Sequence, residues 1–235
     1  MTAIFKREMR SYFTGVIGYV FLVLYLAVGG AVFAYTTLFS MSASMTAYFT
    51  FMMLFSAVML PLLTMKSFSE ERKLKTEQLL LTAPVSIHGM VFGKFFAAYS
   101  VFAGAAIVNA LSFMILYRYA AVKTALFFGN LIALLLVGMV FISIGLFISA
   151  LTENQLSAAV GTIGVILVLL GVGLVSSLLP SSFFLRYIFN ALSIFTRFQT
   201  FTNGYFDLAS LIYYLSVSAI FLYLTVRVYD RRRYN

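Results

Sequence analysis

The residues that could carry chemistry are few, and most of them lie in one polar stretch between Lys66 and Lys94. His88 is the only histidine and the chain has no cysteine, so His88 cannot share a metal site with another such ligand. A nucleotide-binding loop needs four residues between its glycines and a Ser or Thr after its lysine. Here three residues separate Gly89 from Gly93, and a phenylalanine follows Lys94. The stretch therefore favours neither a metal centre nor a phosphate-binding loop, and His88 is expected in an interfacial loop.

The same stretch carries the signals of a helix outside a membrane. Ser67 and Glu70 have the spacing of a capping box, and Pro84 would stop a helix soon after Leu81. We therefore predict a helix over residues 68–81. It ends in three leucines, which would cost free energy in water unless they meet lipid headgroups, another helix or another protein. A solvated connector is the alternative interpretation.

Long stretches without any charged residue separate these polar segments. The chain of 235 residues is 63% hydrophobic and only 10% charged, with a mean hydropathy of +1.02, which excludes a soluble globular protein. Because about 20 apolar residues cross a bilayer, the uncharged stretches accommodate six spans. We predict an all-α membrane protein with a single transmembrane domain over residues 1–235 and spans at residues 16–38, 46–65, 95–117, 125–151, 155–179 and 208–226.

The basic residues are distributed unevenly between the two sides of this arrangement. Twelve of the 16 Lys and Arg residues fall in the N-terminal segment, the 66–94 loop and the C-terminal tail, and four fall on the other side. Basic loops favour the cytoplasm, so both termini are predicted to be cytoplasmic in the cell membrane. The net charge of +9 is then explained by topology, and a nucleic-acid partner is not expected.

A short amphipathic helix is predicted at residues 4–13, ahead of the first span. Aromatic side chains gather on one face and basic side chains on the other, an arrangement typical of a helix lying on a membrane surface. The alternative is a basic flank that only orients the first span. The residues concerned are Phe5 and Phe13 on one face and Lys6, Arg7 and Arg10 towards the other.

The predicted spans contain no Asp, Glu, Lys, Arg or His, which argues against an ion-driven transporter or a proton pump. Their polar residues, such as Asn109 and Asn130, are expected to bond to backbone carbonyls or to a neighbouring helix. The fifth span is rich in small residues that permit close helix contact, either within the chain or across a dimer. These residues are Ser157, Gly161, Gly164, Gly171 and Gly173.

Residues 180–207 form a connection on the side away from the termini, and they are mostly apolar and aromatic. A solvated loop would not carry so many rings, so we expect short helices that dip into the membrane. Arg186 and Arg197 would reach the lipid headgroups from there. On the opposite side, Glu153 lies in a very short turn between the fourth and fifth spans.

Four segments in order along the chain resemble the permease subunits of type-2 ABC exporters. They are FKREMRSYF, SFSEERKLKTEQLLLTAPVS, LTENQLSAA and FTNGYFDLASLIYYLS. Within that family the chain is most similar to the branch with the gliding-motility permease and the permease of the copper-maturation system of nitrous oxide reductase. One departure is Gly15-Val16, where a proline commonly follows the aromatic residue; it bears on the entry angle of the first span.

The resemblance implies a division of labour between subunits. Such permeases are non-catalytic and pair as homo- or heterodimers, and two separate nucleotide-binding subunits bind ATP and Mg²⁺ and hydrolyse the ATP. Some assemblies would include an extracytoplasmic accessory protein. By motif, the 68–81 helix is the coupling helix, residues 4–13 the interfacial helix and residues 180–207 a re-entrant extracytoplasmic hairpin. The residues so implied are Phe68, Glu70, Glu71, Arg72, Glu77, Leu80 and Glu153 for ATPase coupling, and Arg186, Arg197, Gly204 and Asp207 for the hairpin.

Two hypotheses of different kinds follow. The first is the membrane subunit of an ATP-driven exporter or force-transmitting complex. The second is a membrane scaffold or assembly factor whose polar loop docks a partner without transport. A membrane enzyme ranks below both, because the sequence contains no carboxylate pair, metal cluster or nucleophile and base in a recognisable spacing.

Overall fold

The computed structural model describes residues 1–40, 45–77, 86–114, 124–178, 192–202, 204 and 207–234. Within these ranges all regular structure is helical, and the polar 66–94 stretch therefore contributes helices as well. The α-helices are α1 (Thr2–Thr14), α2 (Val16–Phe33), α3 (Met45–Thr64), α4 (Lys66–Lys73), α5 (Ile87–Leu111), α6 (Thr124–Leu151), α7 (Gln155–Leu178), α8 (Ile194–Thr202) and α9 (Leu208–Tyr234). Helix α2 continues as a π-helical turn, Ala34–Phe39, and α5 ends in a 3₁₀ turn, Ser112–Met114.

Six helical segments in the described ranges are long and apolar enough to cross a membrane, which agrees with the six predicted spans. They contain α2, α3 with α4, α5, α6, α7 and α9. Helix α6 has the highest mean hydropathy, 3.0, and is the most buried of them, whereas only a third or fewer of the residues in the apolar parts of α2, α7 and α9 are buried. The bundle is therefore built around α6.

Two glycines on α6 allow its neighbours to approach closely. A Cβ at Gly138 would lie 2.0 Å from the Phe102 ring, and a Cβ at Gly145 would lie 2.1 Å from the Thr64 hydroxyl. Both distances are far below van der Waals contact, so any larger residue would push α5 or α3 away from α6. Close packing of the central helix therefore depends on these two positions.

Two helix boundaries differ from those predicted. Helix α5 begins at Ile87, and His88 lies in its first turn; the Ser86 hydroxyl accepts a hydrogen bond from Gly89 N at 3.2 Å and caps the helix. Helix α4 ends at Lys73, because Lys75 has a φ of 57°. The predicted helix over residues 68–81 is therefore interrupted after Lys73, and the predicted capping box does not form; residues 78–81 lie outside the described ranges.

The polar residues inside the spans bond as expected. Asn109 Nδ2 donates to the Tyr25 carbonyl at 2.9 Å, which joins α5 to α2, and the Tyr25 hydroxyl lies 3.0 Å from Ser56 Oγ on α3. Asn130 Nδ2 donates within its own helix to the Leu126 carbonyl at 2.7 Å. Asn109 and Tyr25 therefore hold helices together, and none of these side chains presents a charged group to lipid.

The small residues of α7 divide between two surroundings. Gly161 packs against Ile148, and Gly173 packs against the Ser193 hydroxyl, both within the chain. Gly164 and Gly171 face open space among the described residues. Contact within the chain, one of the two alternatives for this helix, is therefore present at Gly161 and Gly173.

Candidate functional site

One end of the bundle, here called the charged end, gathers most of the ion pairs. It consists of α1, α4, the first turns of α5, the turn between α6 and α7, and the last turns of α9. Residues near both ends of the chain lie here: Arg7 of α1 pairs with Glu71 of α4, and Arg232 of α9 pairs with Glu77 just beyond α4. Helix α4 and Glu77 are thus contacted by elements from near both ends of the sequence.

A serine on α6 holds the beginning of α4. Ser149 Oγ accepts hydrogen bonds from the backbone N–H groups of Phe68 and Ser69, both at 3.1 Å, and donates to the Met65 carbonyl at 3.1 Å. The first N–H groups of a helix have no partner within it, and the residue preceding α4 supplies no side-chain cap. Ser149 replaces that cap from another helix, so α4 cannot shift without breaking bonds to α6.

A buried lysine ties α4 to two further helices. Lys94 on α5 is 1% exposed, and its Nζ lies 2.9 Å from a Glu71 carboxylate oxygen and 3.1 Å from a Glu8 carboxylate oxygen. The same ammonium donates to the Ser67 carbonyl at 2.6 Å. Burying a charge costs several kcal/mol unless it is paired and hydrogen-bonded, and here all three donors of Lys94 have acceptors. We call Arg7, Glu8, Glu71 and Lys94 the ion-pair cluster.

The final turns of α9 form a second attachment. Arg232 lies 3.0 Å from the Glu77 carboxylate and donates to the Ala150 carbonyl at 2.7 Å. Phe68 of α4 is fully buried, and its ring centroid lies 4.9 Å from that of Tyr229. A contact between two rings and an ion pair therefore attach α4 and Glu77, just beyond it, to α9.

The turn after α6 provides a third attachment. Arg72 donates to the Leu151 carbonyl at 2.8 Å and lies 2.9 Å from a Glu153 carboxylate oxygen. The structure thus brings together two residues that the sequence placed in separate polar segments. Glu153 remains two-thirds exposed, so this pair is accessible from outside the chain.

The predicted coupling residues do not share one orientation. Glu70 projects outward, with 39% of its side chain exposed. Glu71 and Glu77 turn towards the chain, and Phe68 is in the core. Leu80 lies outside the described residues. The outward face of α4 therefore offers Glu70, together with the neighbouring Lys66 and Lys73.

Helix α1 packs against α5, a contact that the sequence did not predict. Ile4 is buried, and its side chain lies within about 3 Å of where a Cβ of Gly93 would be. Of the predicted interfacial residues, Lys6, Arg7, Arg10 and Phe13 are exposed and Phe5 is partly so. Between α1 and α4 lies a cleft of about 380 Å³, lined by both apolar and charged residues.

The predicted hairpin residues lie at the other end of the bundle. Arg197 on α8 places its guanidinium 4.4 Å from the centroid of the Tyr213 ring, and Gly204 has a φ of 85°, which favours glycine. Asp207 caps α9 by accepting from the N–H groups of Ala209 and Ser210. A hydrogen bond from the Ser210 hydroxyl lowers the pKa of the Asp207 carboxyl below its usual value. Arg186 lies outside the described residues.

For four of the residues that organise the charged end, the sequence analysis predicted no structural role. They are Glu8, Lys94, Ser149 and Arg232. Lys94 carried a usable signal, since it lies immediately before an apolar span and Glu8 is the only acidic residue of the first 69. Ser149 carried none, because a serine within an apolar helix usually bonds to its own backbone.

The described residues contain no group of three or more His, Cys, Asp or Glu side chains that could hold a metal ion. No curated protein matches the chain. The family model for ABC-2 family transporter proteins matches residues 51–233, more than three quarters of the sequence. The match covers α4, Lys94 on α5, and the residues of α9 and of the turn after α6 that hold α4 in place. The chain therefore belongs to the ABC-2 family of transporter proteins and is a multi-pass membrane permease of an ABC transporter.

Proposed function

We propose that this permease couples ATP hydrolysis by a separate nucleotide-binding subunit to rearrangement of its membrane helices, in an exporter or a force-transmitting complex. The observation that carries the proposal is the attachment of α4 to α1, α5, α6 and α9 by buried ion pairs, a cross-helix cap and ring contacts. A partner that displaces α4 would displace these four helices with it. ABC-2 permeases work with an ABC ATPase, and α4 is the element that the partner would engage.

The surface that the partner would contact is the outward face of α4. Glu70, Lys66 and Lys73 project from it, and the Arg72–Glu153 pair lies beside it. These charges are exposed, so they can be desolvated by a partner with complementary charges. Glu71 and Glu77 act instead as internal anchors that pass the displacement to α5 and α9.

ATP and Mg²⁺ would be held by the partner subunit. In this chain the Gly89 to Lys94 stretch is helical, and the Lys94 ammonium is enclosed by two carboxylates. That geometry supports a structural lysine in place of a phosphate-binding one, because a phosphate loop presents its backbone N–H groups and its lysine to the nucleotide.

The charged end would face the cytoplasm, with the chain in the cell membrane. Support comes from the basic residues that this end collects from α1, α4 and α9. A second permease copy or a paralogue would pair with the exposed apolar surface, to which α2 and α7 contribute residues such as Val23 and Val168. Assignment to the gliding-motility and copper-maturation branch rests on the FTNGYFDL segment and the chain length.

The test is copurification of the ATPase with a charge-reversed α4. Glu70→Lys places a like charge at an exposed position on the proposed interface, which typically costs several kcal/mol of binding. We expect normal expression and a sharp loss of the ATPase. Asp230→Lys is the matched control, since it reverses a charge at the same end but on α9.

Two results would contradict the proposal. Undiminished ATPase binding by normally expressed Glu70→Lys protein would remove the docking role of α4. Native complexes that contain other partners but no ATPase would instead support the scaffold hypothesis.

A further inference from the structure

A groove on the outer surface between α5 and α9 belongs to none of the contacts described above. It has a volume of about 400 Å³ and is lined almost entirely by apolar atoms. Phe92, Phe96 and Tyr99 of α5 form one wall, Leu215 and Tyr223 of α9 form the other, and Met139 of α6 lies at the base. Several of these rings remain more than a third exposed, so the groove opens sideways, towards the lipid that surrounds the bundle.

The length of the groove matches one leaflet of a bilayer. Its lining runs from His88 to Tyr99 on α5 and from Leu215 to Val226 on α9. At 1.5 Å per residue each run of eleven steps covers about 16 Å. Half of a hydrocarbon core about 30 Å thick is about 15 Å. The groove therefore has the dimensions of a slot for a single extended acyl chain.

Basic side chains lie at the charged end of this slot. His88 lines the groove in the first turn of α5, at the charged end. Arg227 directly follows the lining residue Val226, and its Nε donates to the Tyr223 hydroxyl at 2.7 Å. Within the part of the chain that the structure describes, neither His88 nor Arg227 forms a salt bridge with a carboxylate. A guanidinium has further N–H groups that match the oxygens of a phosphate.

We infer that this groove binds one anionic phospholipid, with an acyl chain between α5 and α9 and its phosphate held at His88 and Arg227. The apolar lining selects the chain, and the positive charge at the charged end selects the headgroup. The inference is independent of the ATPase proposal, because it needs only the six-helix bundle in a membrane.

The absence of tryptophan from the natural chain allows a direct test. Phe96→Trp puts a single fluorescent reporter in the groove, where Phe96 is 41% exposed. Tyr19→Trp is the matched control, since Tyr19 on α2 is 55% exposed but lies outside the groove. The full chain is placed in vesicles of phosphatidylcholine and phosphatidylglycerol in equal amounts, with bromine on the acyl chains of one lipid at a time.

Bromine quenches tryptophan at close range, so quenching reports which lipid occupies the groove. The Phe96→Trp reporter should prefer brominated phosphatidylglycerol by about fivefold or more, since one basic residue near an anionic headgroup contributes about that factor. The Tyr19→Trp reporter should show little preference. Adding Arg227→Gln should lower the preference at Phe96→Trp about fivefold, whereas Arg233→Gln, on a different face of α9, should leave it unchanged.

Equal quenching by the two lipids at both reporters would overturn the inference. So would a preference that survives Arg227→Gln. Quenching of Tyr19→Trp by both lipids together with none of Phe96→Trp would show that another part of the protein closes the groove, which also overturns it. Phe92→Trp is a second groove reporter, and its agreement with Phe96→Trp excludes a local folding defect.

Discussion

The two ends of the bundle are held together by different forces. At the charged end, the ion-pair cluster and the Ser149 cap join helices through directional contacts to named atoms. At the opposite end, here called the aromatic end, the Phe113 ring is buried within 4.8 to 5.7 Å of three other rings, measured between centroids. Those rings are Phe33, Tyr48 and Phe49.

This difference matters for how the molecule can move. Ring packing is non-directional and depends on close contact over the whole surface, so it favours one arrangement of α2, α3 and α5. Ion pairs and hydrogen bonds to α4 can exchange partners when a helix shifts by a few ångströms, because each is lost or gained as a unit. The charged end thus has the contacts expected of an input site, and the aromatic end those of a fixed anchor.

The largest expected effect tests the anchor. Phe113→Ala removes a fully buried ring and should lower the free energy of unfolding by about 4 kcal/mol, in the range measured for buried phenylalanines. Thermal unfolding in detergent measures this loss. Met114→Ala, at a position 67% exposed, is the control and should change little. ATPase binding per folded molecule should stay normal in Phe113→Ala protein. A selective loss of ATPase binding would contradict the assignment of the aromatic end as an anchor distinct from the input site.

The next effect tests the ion-pair cluster. Lys94→Met leaves the Glu8 and Glu71 carboxylates without their buried ammonium and should lower the free energy of unfolding by about 3 kcal/mol. Lys66→Met is the matched control, because it removes only an exposed pair at 3.8 Å and should cost less than about 0.5 kcal/mol.

A double variant sharpens this prediction. Adding Glu71→Gln to Lys94→Met removes one of the two unpaired carboxylates, so it should recover part of the lost stability. Equal stabilities for Lys94→Met and Lys66→Met, measured in the same detergent, would show that the cluster contributes no more than a surface pair.

The contrast between the two ends also explains what the sequence could predict. The spans follow from the length of the uncharged stretches, and apolar packing around α6 follows from its hydropathy. The partners of Glu71 could not be read in the same way, since Arg7 and Lys94 lie far from it in the sequence. Their meeting depends on how α1 folds against α5. The helix over residues 68–81 was predicted from local signals, and a left-handed residue at Lys75 overrode them.

A smaller effect is expected at the Ser149 cap. Ser149→Ala leaves the N–H groups of Phe68 and Ser69 without an acceptor in a buried place, which should cost about 1–3 kcal/mol. Ser143→Ala is the control, because Ser143 bonds only to the Val140 carbonyl of its own helix among the described residues. Hydrogen exchange at α4 should rise in Ser149→Ala protein and not in Ser143→Ala protein. A rise in hydrogen exchange in Ser143→Ala protein and not in Ser149→Ala protein would contradict the capping role of Ser149.

The smallest effect lies at the end without the ion-pair cluster. Asp207→Ala removes the cap of α9 and should cost about 1 kcal/mol, whereas Asp207→Asn keeps a capping side chain and should cost less. Because the folded state lowers the pKa of Asp207, its stabilisation is present above the usual carboxyl pKa and is lost as the pH falls through the lowered value. Unfolding measured across acidic pH should therefore show less acid sensitivity in Asp207→Asn protein than in the natural protein. Identical pH profiles for the natural protein and the Asp207→Asn protein would contradict this assignment.

Site-directed cross-linking of α4 tests the central claim most directly. The natural chain has no cysteine, so a benzophenone attached to Glu70→Cys reports the neighbours of one position in native membranes. The same group on Asp207→Cys, at the other end of the bundle, is the control. We predict a product with the ATPase subunit from Glu70→Cys that changes in yield when ATP is added, and none from Asp207→Cys. An ATPase that copurifies but forms no product with Glu70→Cys, or forms it equally with Asp207→Cys, would contradict the claim that α4 is the input site.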